Sequence, residues 1–160
     1  MCTARHTICR LMLEKYKEEQ AERLVLLGDL LYHGPRNDLP KEYAPKEVIK
    51  MLNGMKNDIY AVRGNCEAEV DQMVLEFPVM ADYCILAING LTFYATHGHV
   101  YNENNLPPFH EGDILIHGHT HVLKAEQKEG YNPSESRICI YSERRKSAYI
   151  CCSGRQNIYD

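Results

Sequence analysis

The stretch LVLLGD, residues 24–29, decides how this chain folds, because an apolar run ends there in a glycine and a carboxylate. A run of about four apolar residues bounded by turn residues is typical of a strand buried on both faces. It is too short for a helix of ordinary length. Residues 24–27 therefore predict a central strand, and Gly28 and Asp29 lie where that strand ends.

The same arrangement occurs three more times along the chain. Apolar runs at residues 59–62, 93–95 and 114–116 each precede polar residues that can bind a metal ion. Those residues belong to the motifs Gly64-Asn65, Thr96-His97-Gly98-His99 and Gly118-His119-Thr120-His121. Strand ends in open α/β sheets form the binding crevice, so we expect these ligands to converge. Carboxylate, amide and imidazole together suit Mn, Fe, Zn or Ni better than Ca or Mg.

The remaining pattern predicts an α/β protein. We expect helices over residues 8–20, 45–55 and 67–75, the second beginning at Pro45. Residues 83–88 and 91–95 predict a hairpin with a type I′ turn at Asn89-Gly90, and a further strand is expected over 121–126. This order predicts two facing sheets with helices outside. Met51, Met55 and Met73 are predicted in the core.

Composition excludes several classes of function. The 160 residues are enough for one domain, 1–160, and a net charge of −4 leaves no basic footprint for nucleic acid. No apolar stretch approaches the roughly 18 residues of a membrane span. Residues 1–6 lack a signal-peptide pattern, and the seven cysteines form no CxxC pair. We therefore expect a cytoplasmic protein with reduced thiols.

The ligand types suggest hydrolysis of phosphate esters. Two metal ions about 3.5–4 Å apart can activate a bridging hydroxide and neutralise charge on the phosphoryl oxygens. A carboxylate is the natural bridge between two cations, which makes Asp29 the candidate. Asn65 can offer an amide oxygen to one ion, and His97 and His119 would complete that shell. If the backbone curls, His121 can face the second ion.

Taken together, the motifs resemble the calcineurin-like metallophosphoesterase superfamily, and within it the small bacterial YfcE-like phosphodiesterases. The segments that carry this resemblance are GDLLYHGPRN (28–37), RGNCE (63–67), THGH (96–99) and GHTH (118–121). The resemblance covers about residues 10–133. It implies a four-layer α/β/β/α sandwich and phosphodiester hydrolysis at two divalent ions, most commonly manganese.

The resemblance also implies a role for each motif residue. Asp29 bridges the ions, while Asn65, His97 and His119 hold one ion and His121 holds the other. The family's ligand is the first histidine of its motif, which places His99 beside the shell or on the substrate side.

Two departures from the family pattern affect these expectations. Such enzymes have a strand ending in Asp-x-His-Gly whose Asp and His bind the ion that His121 contacts, and this motif is absent from the sequence. We therefore expect a sandwich incomplete at its N-terminal strand, with exposed sheet edges and impaired activity. Residues 134–160 diverge from the family and predict no element.

A second group of residues is expected on the substrate side. His33 is interpreted either as a loop histidine or, with Arg36 and Asn37, as a phosphate contact. Many family members have a histidine after the Gly-Asn motif that acts on the leaving group. This chain has Cys66 there. A thiol is a poor proton donor to an alkoxide, so acid catalysis is left to His33 or water, and Cys66 is interpreted as a packing residue.

Simpler interpretations stay open at this point. Asp29 and Asn65 are residue types that also serve as turn residues at strand ends. The leading functional hypothesis is a phosphodiesterase acting on a small phosphodiester. The alternatives are a non-catalytic interaction scaffold on the same fold and an inactive fragment, and a homo-oligomer is left open.

Overall fold

The computed structural model describes residues 4–31, 38–39, 41–88 and 90–120, together with the backbone of residues 138–142 and 148–151. Its elements follow in chain order: α1 (His6–Glu18), β1 (Arg23–Leu26), α2 (Pro45–Asn53), a 3₁₀ turn (Lys56–Asp58), β2 (Ile59–Ala61), α3 (Glu69–Val74), β3 (Tyr83–Ile88), β4 (Leu91–Thr96), β5 (Ile114–His117), β6 (Ile138–Ser142) and β7 (Ala148–Cys151).

The strands form two sheets. In the first sheet the order is β2-β1-β6-β7, with β1 parallel to both β2 and β6. In the second sheet the order is β3-β4-β5, with β4 antiparallel to β3 and parallel to β5. Since β1, β2, β4 and β5 each run toward one of the predicted ligand motifs, the parallel pairings bring those motifs together in pairs.

Alternation along β1 explains how the layers are joined. Leu24 and Leu26 belong to one buried cluster, and Val25 and Leu27 belong to another. Successive side chains of a strand point to opposite faces. The first pair therefore packs under the helices, and the second pair packs against the other sheet. The prediction that β1 is buried on both faces is confirmed.

Two helices cover the outer face of the first sheet. Cys9 and Met12 of α1 and Val48 and Leu52 of α2 lie in the cluster that contains Leu24. Pro45 occupies the first turn of α2, where its missing N–H costs no hydrogen bond. Loop aromatics cover part of the outer face of the second sheet, with Tyr94 and Phe109 ring centroids 5.5 Å apart.

The predicted helices and strands that lie within the described residues agree with the structure to within a few residues, and the mixed α/β fold is confirmed. Met51 and Met55 pack against the helix-side core. The prediction for Met73 is wrong, because its side chain is 83% exposed. The buried residue of α3 is Asp71, which accepts the N–H of Ala68 and caps the helix, so Met73 falls on the opposite face.

The C-terminal region contains elements that the sequence did not identify. The sequence leaves the structure of residues 134–160 open, and residues 138–142 and 148–151 form strands. The absent N-terminal strand predicted exposed sheet edges, but β1 is not one of them, because β2 and β6 pair with it on its two sides. The predicted strand over 121–126 and residue Asn89 lie outside the described residues. Gly90 has the positive φ of 78° that a type I′ turn requires. Within the ranges described above, the helices are too short or too polar to cross a bilayer.

Candidate metal centre

His97 is the most deeply placed of the predicted ligands, with 1% of its surface exposed. It follows β4, and its Nδ1 lies 2.5 Å from the backbone oxygen of Leu27. A carbonyl oxygen only accepts hydrogen bonds, so Nδ1 carries the proton and donates it. Burial lowers the pKa of His97, which keeps the ring neutral near pH 7. The lone pair of His97 therefore sits on Nε2.

Three further polar atoms surround that lone pair. Nε2 of His97 lies 3.0 Å from Oδ1 of Asn65, 3.1 Å from Nδ1 of His119 and 3.6 Å from Oδ2 of Asp29. The amide of Asn65 turns its oxygen inward because its Nδ2 donates to Sγ of Cys66, 3.2 Å away. Carboxylate and amide oxygens facing an imidazole lone pair form an arrangement that a cation between them would stabilise.

The spacing of these atoms fits a divalent cation. Ligand atoms about 2.0–2.2 Å from a metal lie roughly 3.0–3.5 Å from one another. The distances from Nε2 of His97 are close to this spacing. Among the described residues no group of three or more His, Cys, Asp or Glu side chains could hold a metal ion by itself. The amide oxygen of Asn65 adds a further donor beside the Asp29, His97 and His119 side chains.

Two glycines allow the turn that carries Asp29 and the turn that carries Asn65 to approach closely. Gly28 has φ +85°, and a Cβ on it would lie 2.4 Å from the backbone nitrogen of Gly64. A Cβ on Gly64 would lie 2.2 Å from Oδ1 of Asp29. Neither position has room for a side chain, so the Asp29 and Asn65 turns pack backbone against backbone.

Asp29 is held in a strained conformation. Its φ is +55°, in the left-handed region that costs an ordinary residue about 1–2 kcal/mol. Its side chain is buried, and Oδ1 accepts the N–H of Cys66 at 2.9 Å. Oδ2 then faces His97. A strained backbone conformation of this kind persists only where the surrounding structure fixes it.

Glu67 provides that support, and the sequence analysis missed its role. This residue is 4% exposed, and its carboxylate accepts the backbone N–H groups of Asp29, Leu30 and Gly64. Burial raises the pKa of Glu67, while the three N–H groups act against that shift. The signal in the sequence is the charge of Glu67 inside RGNCE. The helix predicted over residues 67–75 includes Glu67, whereas the observed helix begins at Glu69.

His119 approaches from the second sheet. It follows β5 and has φ +64°, and the N–H of the preceding Gly118 donates to the backbone oxygen of His97 at 3.0 Å. Its ring centroid lies 5.0 Å from that of His97. Unlike His97, His119 is exposed. The site thus has a buried side, formed by Asp29 and His97, and an exposed side, formed by Asn65 and His119.

The predicted substrate-side residues are described only in part. His99 lies beside the ligands, with its ring centroid 5.2 Å from that of His97, and burial lowers its pKa. Its Nδ1 is buried and has no hydrogen-bond partner in the described structure. Cys66 contacts the ligands through its backbone and its sulfur. The predictions for His33, Arg36, Asn37 and His121 concern residues outside the described ranges.

The neutral state of His97 predicts acid-sensitive stability in metal-free protein. Its folded pKa lies below the unfolded value near 6.5, so below that pH the unfolded chain binds more protons and the free energy of unfolding decreases. We expect the free energy of unfolding to decrease between about pH 7.5 and pH 5.5, measured by urea unfolding in EDTA. His97→Asn should weaken this dependence, and His99, shifted the same way, accounts for the remainder. His110→Asn, at an exposed histidine outside the site, is the control. Equal pH dependence in all three proteins would contradict the assignment.

Comparison with known sequences defines the class of protein. The sequence profile of the calcineurin-like phosphoesterase superfamily domain matches residues 4–139. This match includes all four described ligand positions. The chain therefore belongs to the calcineurin-like phosphoesterase superfamily.

Individual proteins of this superfamily are also similar to the chain. The chain is similar to phosphodiesterase YfcE of Escherichia coli K12, with 45% identity over 117 residues, or 73% of this chain and 64% of the relative. The same figures hold for phosphodiesterase YfcE of Escherichia coli O157:H7. A solved structure of the E. coli phosphoesterase YfcE matches with a TM-score of 0.76 and 38% identity, covering 88% of this chain and 73% of that one. The chain thus spans slightly less than two thirds of the length of these curated relatives.

Proposed function

We propose that this chain is a metal-dependent phosphodiesterase that acts on a small phosphodiester. The observation that carries the proposal is the convergence of a carboxylate, an amide oxygen and a second imidazole on Nε2 of His97. Family membership and similarity to proteins named phosphodiesterase support the same reaction. We extend the proposal to residues 1–160 as one domain located in the cytoplasm.

The proposed coordination shells of the two metal ions consist of the residues predicted from the motifs. Asn65, His97 and His119 would hold one divalent ion, with Asp29 between it and a second ion held by His121. Manganese is our first choice, and Zn, Ni or Fe suit the same mixture of nitrogen and oxygen ligands. When bound, such a pair of ions supplies Lewis acidity that activates water and neutralises phosphoryl charge.

The protein residues give these ligands their direction and charge. Leu27 fixes the tautomer of His97 through its carbonyl oxygen, so that Nε2 presents its lone pair toward Asn65 and Asp29. Such outer partners orient imidazole ligands in metal sites generally. The Cys66 N–H holds one Asp29 oxygen and leaves the other directed toward His97.

We assign the substrate side to the less buried residues. His99, half-buried beside the ligands, is proposed to contact the phosphate or its leaving group. His33, Arg36 and Asn37 are proposed as further phosphate contacts on the strength of their motif. Cys66 is assigned a packing role, since it contacts Asn65 and Asp29 and a thiol protonates an alkoxide poorly.

Hydrolysis of bis-p-nitrophenyl phosphate tests the proposal directly. We expect Mn²⁺-stimulated release of p-nitrophenol, a decrease of about 100-fold after treatment with EDTA, and recovery when Mn²⁺ is restored. Recovery is the control, because it separates loss of metal from loss of folded protein. A rate that stays at background with Mn²⁺, or that is insensitive to EDTA, would contradict a metal-dependent phosphodiesterase.

Metal content separates the proposal from the alternatives. Mass spectrometry of the native protein should find close to two ions per chain for the proposed enzyme, whereas an interaction scaffold need hold none. An inactive fragment should lack a cooperative unfolding transition. The same native spectrum reports whether the chain forms a homo-oligomer, which we leave open.

A further inference from the structure

The carboxylate of Glu67 joins the two turns that carry Asp29 and Asn65. Its Oε2 accepts the N–H of Asp29 at 2.7 Å and that of Gly64 at 2.5 Å, and its Oε1 accepts the N–H of Leu30 at 2.6 Å. Hydrogen bonds from backbone N–H to an ionised carboxylate are short and strong. One buried side chain therefore contacts both turns at once, from a position three residues beyond Gly64.

The turn before Leu30 directs two successive backbone N–H groups at one anion. Gly28 and Asp29 have successive positive φ angles of 85° and 55°, and the N–H groups of Asp29 and Leu30 both point at the Glu67 carboxylate. Concave arrangements of successive backbone N–H groups are anion-binding sites in many proteins. Here the anion belongs to the chain itself.

A second contact runs in the opposite direction. Oδ1 of Asp29 accepts the N–H of Cys66, which is the residue between Asn65 and Glu67. Each turn thus supplies a carboxylate for the N–H groups of the other turn. With Oδ1 engaged, the remaining oxygen Oδ2 of Asp29 lies toward His97.

We infer that Glu67 is a positioning residue that clamps the Asp29 turn to the Asn65 turn and so fixes the directions of their metal-binding oxygens. Glu67 itself touches neither a metal ion nor substrate in this assignment. The clamp itself consists of backbone hydrogen bonds to Glu67. Its effect on metal binding rests on the proposed function.

Two substitutions of Glu67 and one control test the clamp. Glu67→Ala removes every acceptor. Glu67→Gln keeps the shape and one acceptor oxygen, but its amide group opposes one of the three backbone donors. The control is Glu76→Gln, which removes a carboxylate paired with Lys56 on the surface. All are made in the full chain.

Residue-resolved hydrogen exchange in EDTA is the first measurement. Exchange of the amides of Asp29, Leu30 and Gly64 should become about tenfold or more faster in Glu67→Ala, with a smaller change in Glu67→Gln. Amides of β4 and α2 should keep wild-type exchange, which a general loss of stability would not allow. If Glu67→Ala does not fold, amide exchange in Glu67→Gln alone tests the clamp. Unchanged exchange at the three amides would overturn the clamp.

Binding of Mn²⁺ and steady-state kinetics with bis-p-nitrophenyl phosphate form the second measurement. We expect the Kd for Mn²⁺ to rise by about 10–100-fold in Glu67→Ala, less in Glu67→Gln and not in Glu76→Gln. At saturating Mn²⁺, kcat should fall while KM stays near wild type. Faster exchange with unchanged Mn²⁺ affinity would overturn the positioning role. If the wild type itself shows no hydrolysis, the proposed function fails, and amide exchange still decides the clamp.

Discussion

Replacing Asp29 with asparagine should lower kcat/KM for bis-p-nitrophenyl phosphate by at least about 100-fold while the protein stays folded. Asparagine has the shape of aspartate, and its amide oxygen can still accept the N–H of Cys66. The substitution removes the negative charge and places an NH₂ group where Oδ2 now faces His97. A site proposed to hold two divalent ions loses the carboxylate that offsets their mutual repulsion.

The measurement combines rates with metal content. Asp29→Asn should lose bound manganese in native mass spectrometry, and its urea unfolding transition should remain cooperative. Asp58→Asn is the matched control, because Asp58 pairs with Arg23 before β2 begins, at the far end of the strand from Asn65. Activity in Asp29→Asn equal to that of Asp58→Asn would remove Asp29 from the proposed site.

Replacing Gly28 with alanine should destabilise the protein by about 3 kcal/mol or more, since two unfavourable effects combine at this position. The φ of +85° is strained for any residue with a Cβ. The added Cβ would also lie 2.4 Å from the nitrogen and 2.6 Å from the Cα of Gly64. Backbone atoms cannot rotate away as the end of a flexible side chain can, so the two turns must separate.

Gly112→Ala is the control that isolates the steric effect. Gly112 has φ +93°, close to that of Gly28, but a Cβ there would meet no atom within 4 Å. It should cost only about 1–2 kcal/mol from backbone strain. Urea unfolding of both variants in EDTA gives the comparison. Equal losses of stability would show that the approach of Gly28 to Gly64 does not limit stability.

The sequence could predict that the candidate ligands lie together because their positions follow from strand ends. Asp29, Asn65, His97 and His119 each come shortly after a strand, and the parallel pairing of β1 with β2 and of β4 with β5 brings them together in pairs. The short apolar runs were sufficient to predict where those strands end. The roles of these residues as metal ligands stay a prediction until metal is measured.

The sequence could not predict the contacts that orient those ligands. The Glu67 carboxylate meets the N–H groups of Asp29 and Leu30 across 38 and 37 residues of chain, and these donors are backbone atoms that every residue type carries. The tautomer of His97 depends in the same way on the carbonyl oxygen of Leu27, 70 residues away. Such pairings depend on the three-dimensional approach of turns, so the charge of Glu67 inside RGNCE could not by itself indicate which backbone donors it meets.

The unequal burial of the ligands has a consequence for how an ion would come and go. Asp29 and His97 are closed off from solvent, whereas Asn65 and His119 are exposed. Among the described residues, Asn65 and His119 form the solvent side of the site, so we expect an exchanging cation to meet these two side chains first. Replacement of one metal by another would then begin at the exposed pair, before the buried pair is reached.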